Sequence, residues 1–323
     1  MARTRYATDR GLIARMGATM FLLGLVFTAF IIVIVLLLTK FTSISGDGII
    51  FIAVVAGIAV SFGSFYWSDK IALATAGARL VTPQQAPELH GVVDRLCALA
   101  DMPKPRVAIA PTDMPNAFAT GRSSKVAVLC VTEGLLRRLD TSELEGVIAH
   151  EMSHVAHKDV AVMTIASFLG IMAALLVRFA FYSELFGGGG RDRGRGGGGD
   201  QNAFPVVLVV LAVGIVVYAI SFLLIRLLSR YRELSADRSG ALLTGQPSAL
   251  ASALVKVSGD MSRIPTRDLR AAEPLNAFYF APALSGKQGQ WSLSTLFSTH
   301  PSLDKRLKAL DEISKQLSSS SGQ

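Results

Sequence analysis

Residues 140–160 read DTSELEGVIAHEMSHVAHKDV. Asp140 stands three residues before Glu143, the spacing of a capping box, in which each side chain accepts from a backbone N–H at the first turn of a helix. The helix that starts there carries His150 and His154 four residues apart and therefore on one face, so both imidazoles can reach one Zn²⁺. Glu151 sits beside the remaining coordination position, where it can take a proton from a water that attacks a carbonyl. The stretch ends at Val160, where an uncharged apolar run begins.

That run is one of four. Residues 17–39, 48–67, 160–177 and 203–225 contain no Asp, Glu, Lys or Arg. At about 1.5 Å rise per residue, helices of roughly 18–23 residues cross a hydrocarbon core of about 30 Å. With 51% hydrophobic and 17% charged residues in 323, the composition suits a polytopic membrane protein better than a soluble one. The third run is the shortest and is followed by Arg178. The first is too long for a cleaved signal peptide and reads as an anchor. Arg3, Arg5, Arg10 and Arg15 precede it, which by the positive-inside rule keeps the N-terminus in the cytoplasm. Four crossings then return 70–159 and everything after the fourth run to that side. Arg226, Arg230 and Arg232 agree, while Arg191, Arg193 and Arg195 in the intervening loop oppose.

The expected organisation is a cytoplasmic N-terminus (1–15), a transmembrane hairpin (16–69), a cytoplasmic part carrying the two histidines (70–159), a second hairpin (160–228) with a Gly/Arg-rich flexible outer loop (187–200), and a final cytoplasmic part (229–323). The lipid bilayer is thus one partner. Nucleic acid is not, because the net charge of +8 comes largely from basic residues beside membrane runs. Cys97 and Cys130 have no metal or disulfide spacing and fit reduced thiols.

Within 70–159 the periodicity predicts a helix over about 86–101 and strands at 106–110 and 125–131, separated by Asn116–Gly121, hence a small sheet with an open edge. Near the C-terminus, 303–317 reads as an amphipathic helix and the Ser-rich end as a disordered tail.

A catalytic zinc takes three protein ligands and leaves a fourth position for water. Glu233 and Asp237 are again four apart on a predicted helix, so Glu233 could ligate while Asp237 accepts the spare N–H of a ligating histidine. The same pair could instead form surface ion pairs with Arg230 or Arg238. His157 does not complete a metzincin pattern, since it occupies that motif's glycine place and Val160 its last ligand place. It is expected to lie beside the ligands or in solvent.

His150-Glu-Met-Ser-His154 followed by Glu233-x-x-x-Asp237, with membrane runs between, resembles the HtpX family of bacterial membrane metalloproteases, relatives of the CAAX-prenyl endoproteases. Asn116-Ala-Phe-Ala-Thr-Gly121 and Ser298-Thr-His-Pro301 resemble two further motifs of that group. The resemblance implies a mainly α membrane protein, with four transmembrane helices and a cytoplasmic gluzincin-like α+β metalloprotease domain. It implies one Zn²⁺ per subunit, held by His150, His154 and Glu233, and endoproteolysis of damaged or misfolded membrane proteins or other polypeptides at a bacterial inner membrane. By the same resemblance Glu151 and His300 are catalytic, His300 stabilising the oxyanion, and Asn116 helps hold substrate backbone. On the residues alone, His300 could instead be a capping or surface histidine and Asn116 a turn residue. A prenyl-protein protease would use the same zinc chemistry. A transporter or scaffold is the reading of another class, and the absence of ionisable residues from all four runs argues against transport.

Overall fold

The computed structural model describes residues 10–41, 55, 59, 62–63, 65–160, 162–164, 203–261 and 300–320. In chain order the elements are α1 (Arg10–Phe41), α2 (Ser68–Thr75), β1 (Arg79–Leu80), α3 (Pro87–Ala100), β2 (Arg106–Ala110), β3 (Ala117–Thr120), a 3-10 turn at Ser124–Val126, β4 (Val128–Thr132), α4 (Glu133–Arg138), α5 (Thr141–Ala156), α6 (Ala203–Thr244), α7 (Pro247–Met261) and α8 (Leu303–Ser320). They divide into two compact units. One comprises Met1–Ile13, Ser64–Val162 and Arg226–Gln323, the other Ala14–Gly63 and Met163–Ile225.

Among the described residues of the second unit, many large apolar side chains face outward. Phe21 is 74% and Ile215 63% exposed, and Leu25, Ile32, Val216 and Leu223 are also exposed. Side chains of this size and number facing outward need lipid or another apolar surface. Among the described residues one helix, Ala212–Thr244 within α6, is long and apolar enough to cross a membrane. The first expected run, 17–39, lies inside α1 and the fourth, 203–225, inside α6. The second and third, 48–67 and 160–177, lie largely outside the described residues, as does the loop 187–200.

The other unit is built on a four-stranded sheet of order β1-β2-β4-β3. β2 and β4 pair in parallel, and β1 and β3 join antiparallel at the edges. Side chains alternate between the two faces, as strand geometry requires. Val107, Ala117, Leu129 and Val131 enter the main core with Leu96 of α3, Ile148 and Met152 of α5, Leu254 of α7 and Leu310 of α8. Ala108, Ala110, Phe118, Val128 and Cys130 form a smaller cluster on the other face with Ala72 of α2.

Two local expectations are corrected. Residues 117–120, read as part of a connection, form the edge strand β3, and β4 starts at Val128 because Ser124–Val126 coils into a 3-10 turn. The hairpin between them turns on Gly121, whose φ is +129° and where a Cβ would lie 2.8 Å from Ala127 Cα; glycine alone accommodates both. The Ser-rich end, expected as a disordered tail, continues α8 as far as Ser320. Burial of Leu310 and Ile313 anchors that helix firmly enough for its last turn to persist.

The start of α5 is fixed from both sides. Asp140 accepts from the N–H groups of Ser142 and Glu143 (both 2.9 Å), and Glu143 Oε2 accepts from Asp140 N–H (3.0 Å). Glu143 also accepts from Ser252 Oγ (2.6 Å) and Lys256 Nζ (2.7 Å) of α7. Burial alone would raise the Glu143 carboxyl, but the Lys256 and Ser252 hydrogen bonds outweigh it and hold the group below its usual range. Burial pushes the Cys97 thiol up to about 11 and that of Cys130 up to about 12.

Candidate metal centre

α5 and α6 meet where one has no side chain. A Cβ built on Gly240 would lie 2.9 Å from His150 N and 3.2 Å from the Ala149 carbonyl carbon, so the two backbones approach as closely as glycine permits. That approach brings Glu233 and Asp237, two turns and one turn before Gly240 on α6, against the histidines of α5.

His150, His154 and Glu233 are all buried, and each offers a ligand atom within 4.8 Å of the other two. His150 Nε2 is 3.6 Å from Glu233 Oε2, and His154 Nε2 is 3.5 Å from Glu233 Oε1. Each histidine turns its other nitrogen to a second carboxylate: His150 Nδ1 lies 2.9 Å from Asp237 Oδ1, and His154 Nδ1 is 2.6 Å from Asp159 Oδ2. Two donors that sit about 2.0–2.1 Å from a tetrahedrally bound ion lie about 3.3 Å apart, so the three atoms fit zinc with little adjustment. Two imidazoles whose second nitrogens face carboxylates, and one carboxylate, are also the donor types of catalytic zinc sites.

Each accepting carboxylate is itself held by an arginine. Arg306 of α8 donates through Nε to Asp237 Oδ2 (2.7 Å) and through Nη2 to Oδ1 (2.6 Å), and both side chains are fully buried. Arg232 Nε lies 3.0 Å from Asp159 Oδ2. Burial would push the Asp159 carboxyl up, but Arg232 and the hydrogen bond with His154 hold it below the usual range. Sequence reading did not single out Asp159, Arg232 or Arg306 as parts of the site.

Glu151 is buried, and burial raises its carboxyl above the usual value against the opposing pull of His150 and His154. Its Oε2 accepts from the N–H of Ala119 in β3 (3.1 Å). The register explains that contact. Thr132 N–H donates to Asn116 C=O, so the pairs Asn116/Thr132, Phe118/Cys130 and Thr120/Val128 exchange the ladder bonds. Ala117 and Ala119 then turn their N–H and C=O groups away from β4. The outer edge of β3 therefore faces the base, through Ala119 and not through Asn116, whose backbone is engaged with Thr132 on both sides. The Asn116 side chain is buried. His300, just before α8, is buried with Nδ1 3.0 Å from Glu233 Oε2. His157 forms the C-terminal cap of α5 and is absent from the metal-binding group.

The model of peptidase family M48 matches residues 83–314. The chain is 56% identical over 316 residues to "Protease HtpX homolog 1" of Streptomyces coelicolor, covering 98% of this chain and 97% of that one. It is 49% identical over 315 residues to "Protease HtpX homolog" of Moorella thermoacetica, covering 98% of each. Among solved structures, that of S. mikatae Ste24p superposes with a TM-score of 0.54 at 17% identity, covering 88% of this chain; this chain spans 62% of Ste24p's length. At that identity the likeness is one of fold.

Proposed function

The chain belongs to peptidase family M48 and is a membrane metalloprotease, and from that premise we propose that His150, His154 and Glu233 hold one zinc ion and that Glu151 is the general base. The observation that carries the reading is the aim of the two Glu233 oxygens, each at 3.5–3.6 Å from the Nε2 of a different histidine.

Zinc bound there would bring the pKa of a water toward neutrality and polarise the scissile carbonyl. The chain's own groups do the rest. Glu151, its carboxyl raised by burial, takes the proton of the attacking water and returns it to the leaving amine. Ala119 N–H orients that carboxylate through Oε2. An extended substrate segment adds beside β3 at Ala119, the partly exposed residue of that strand, whose outward C=O can accept a main-chain hydrogen bond. Asn116, its backbone turned toward β4, supports that edge from behind. His300 lies beside Glu233, where an imidazole can donate to the negative charge that develops on the carbonyl oxygen. Asp237 fixes the tautomer of His150.

The substrates of this reading are polypeptides, above all damaged or misfolded membrane proteins. The protein sits in the cell membrane as a multi-pass chain, with four spans, and presents the site to the cytoplasm, in keeping with the arginines around its first and fourth apolar runs. The prenyl-protein reading has only a common fold on its side.

The decisive experiment uses detergent-purified protein. Glu151→Gln is expected to abolish cleavage of an unfolded polypeptide while one zinc per chain stays bound. Cleavage by that variant would remove Glu151 from its role, and a zinc-free wild type would remove the metal set.

A further inference from the structure

We propose that Asp159 and Arg232 form a positioning pair for His154, equivalent to the Asp237–Arg306 pair on His150; this deepens the zinc reading above and rests on it.

His154 has a weakness that His150 lacks. It stands in the last turn of α5, which ends at Ala156, and terminal turns fray because their carbonyls lose intrahelical partners. A ligand placed there needs a hold from outside the helix. The chain supplies one by reversing at once: His157 caps the helix, Lys158 adopts φ +57°, and Asp159 returns its Oδ2 to 2.6 Å from His154 Nδ1. A non-glycine residue in the left-handed region is strained by its Cβ. A glycine at 158 would make the same turn without that strain, and the return of Asp159 is what the turn accomplishes.

Arg232 converts a local contact into a link between ligands. Its Nε sits 3.0 Å from the same Asp159 Oδ2, and it immediately precedes Glu233. His154 and Glu233 come from different helices, and their own side chains approach only to 3.5 Å. Through Asp159 and Arg232 they gain a second, short connection, so a drift of the α5 terminus away from α6 must break a buried ion pair, one partner of which is 3% and the other 13% exposed. Asp237 and Arg306 act in the same way on His150, tying α5 and α6 to α8.

The test measures zinc affinity by chelator competition on the full chain in detergent, with the visible spectrum of the cobalt-substituted protein as a second readout and metal-free thermal unfolding as a control. Asp159→Ala is expected to weaken zinc about 10–100-fold and to shift the cobalt bands. Asp159→Asn, which keeps shape and an acceptor, is expected to lose about tenfold; it carries the test if the alanine variant does not fold. Because Arg232 acts through Asp159, the double variant Asp159→Asn/Arg232→Gln should bind zinc no more weakly than Asp159→Asn alone. Unchanged zinc affinity in the Asp159 variants, whatever happens to metal-free stability, would overturn the proposal and leave a simple structural staple. Additive losses in the double variant would overturn the pairing. A wild type that binds no zinc, or a Glu233→Ala variant that keeps it, would remove the ligand set itself, an outcome distinct from both.

Discussion

Replacing Gly240 by alanine tests how strictly the spacing of α5 and α6 governs the site. The added Cβ would lie 2.9 Å from His150 N and 3.2 Å from both Ala149 C and His150 Cα. Comfortable heavy-atom separations are about 3.5–4.0 Å, and every atom met is backbone, so no rotamer change relieves the clash. The helices must part by about half an ångström or more. Overpacking of this kind typically costs about 1–3 kcal/mol of stability. Zinc sites tolerate displacements of only about 0.2 Å, and the movement takes Asp237, one turn away, from its 2.9 Å position at His150. We expect zinc affinity to fall about 10–100-fold, the range seen when the groups that orient a zinc ligand are disturbed. Gly259→Ala in α7 serves as the matched control, since its Cβ would meet nothing within 4 Å, and it should leave zinc affinity unchanged. Chelator competition reads both variants. A Gly240→Ala protein with wild-type zinc affinity would show that the contact is not what sets the ligand geometry.

Glu233→Ala should lose both zinc and activity, while His157→Ala keeps most of both; metal analysis beside a cleavage assay decides, and the reverse pattern would sink the ligand assignment. Glu143 gives a pH prediction. Its folded pKa is held below the ordinary 4.5, so it contributes stability above that pH, and the contribution is lost as pH falls through the depressed folded value. Glu143→Gln should therefore lower stability at pH 7 yet show a flatter acid limb below about pH 4.5 in a thermal-melt series; parallel limbs would refute it. Reporters fused near Thr8, after residue 100 and at the C-terminus should all read cytoplasmic, and an external reading at any of the three breaks the four-span topology.

The helical parts of the site were legible because helical geometry acts over three or four residues. The spacings His150/His154, Glu233/Asp237 and Asp140/Glu143 each state a shared face or a cap without reference to anything distant. What stayed hidden depends on long-range approach or on irregular backbone. Arg306 is 69 residues from Asp237 and lies on a helix whose apolar stripe advertised only its packing side. Asp159 falls beyond the end of α5, where periodicity has stopped, and only the left-handed turn at Lys158 aims it at His154. β3 is only four residues, Ala-Phe-Ala-Thr, too short for its alternation to stand out between Asn116 and Gly121, residue types that mark turns. Its extended form is imposed by pairing with β4, so the feature that faces Glu151 carries almost no local signal.

The burial of the two cysteines has a practical consequence. Cys130 is fully buried between strands and α2, Cys97 is nearly so, and burial raises both thiols to values of about 11 or 12. At neutral pH neither supplies appreciable thiolate, the species that reacts with alkylating reagents. The wild-type chain is therefore already a silent background for single-cysteine scanning. A thiol introduced at the exposed Ser123 or Lys125 can be labelled by a membrane-impermeant maleimide without first removing the native cysteines, and thiols placed near Thr8 and on the Gly/Arg-rich loop can be tested the same way to map which side of the bilayer each segment occupies.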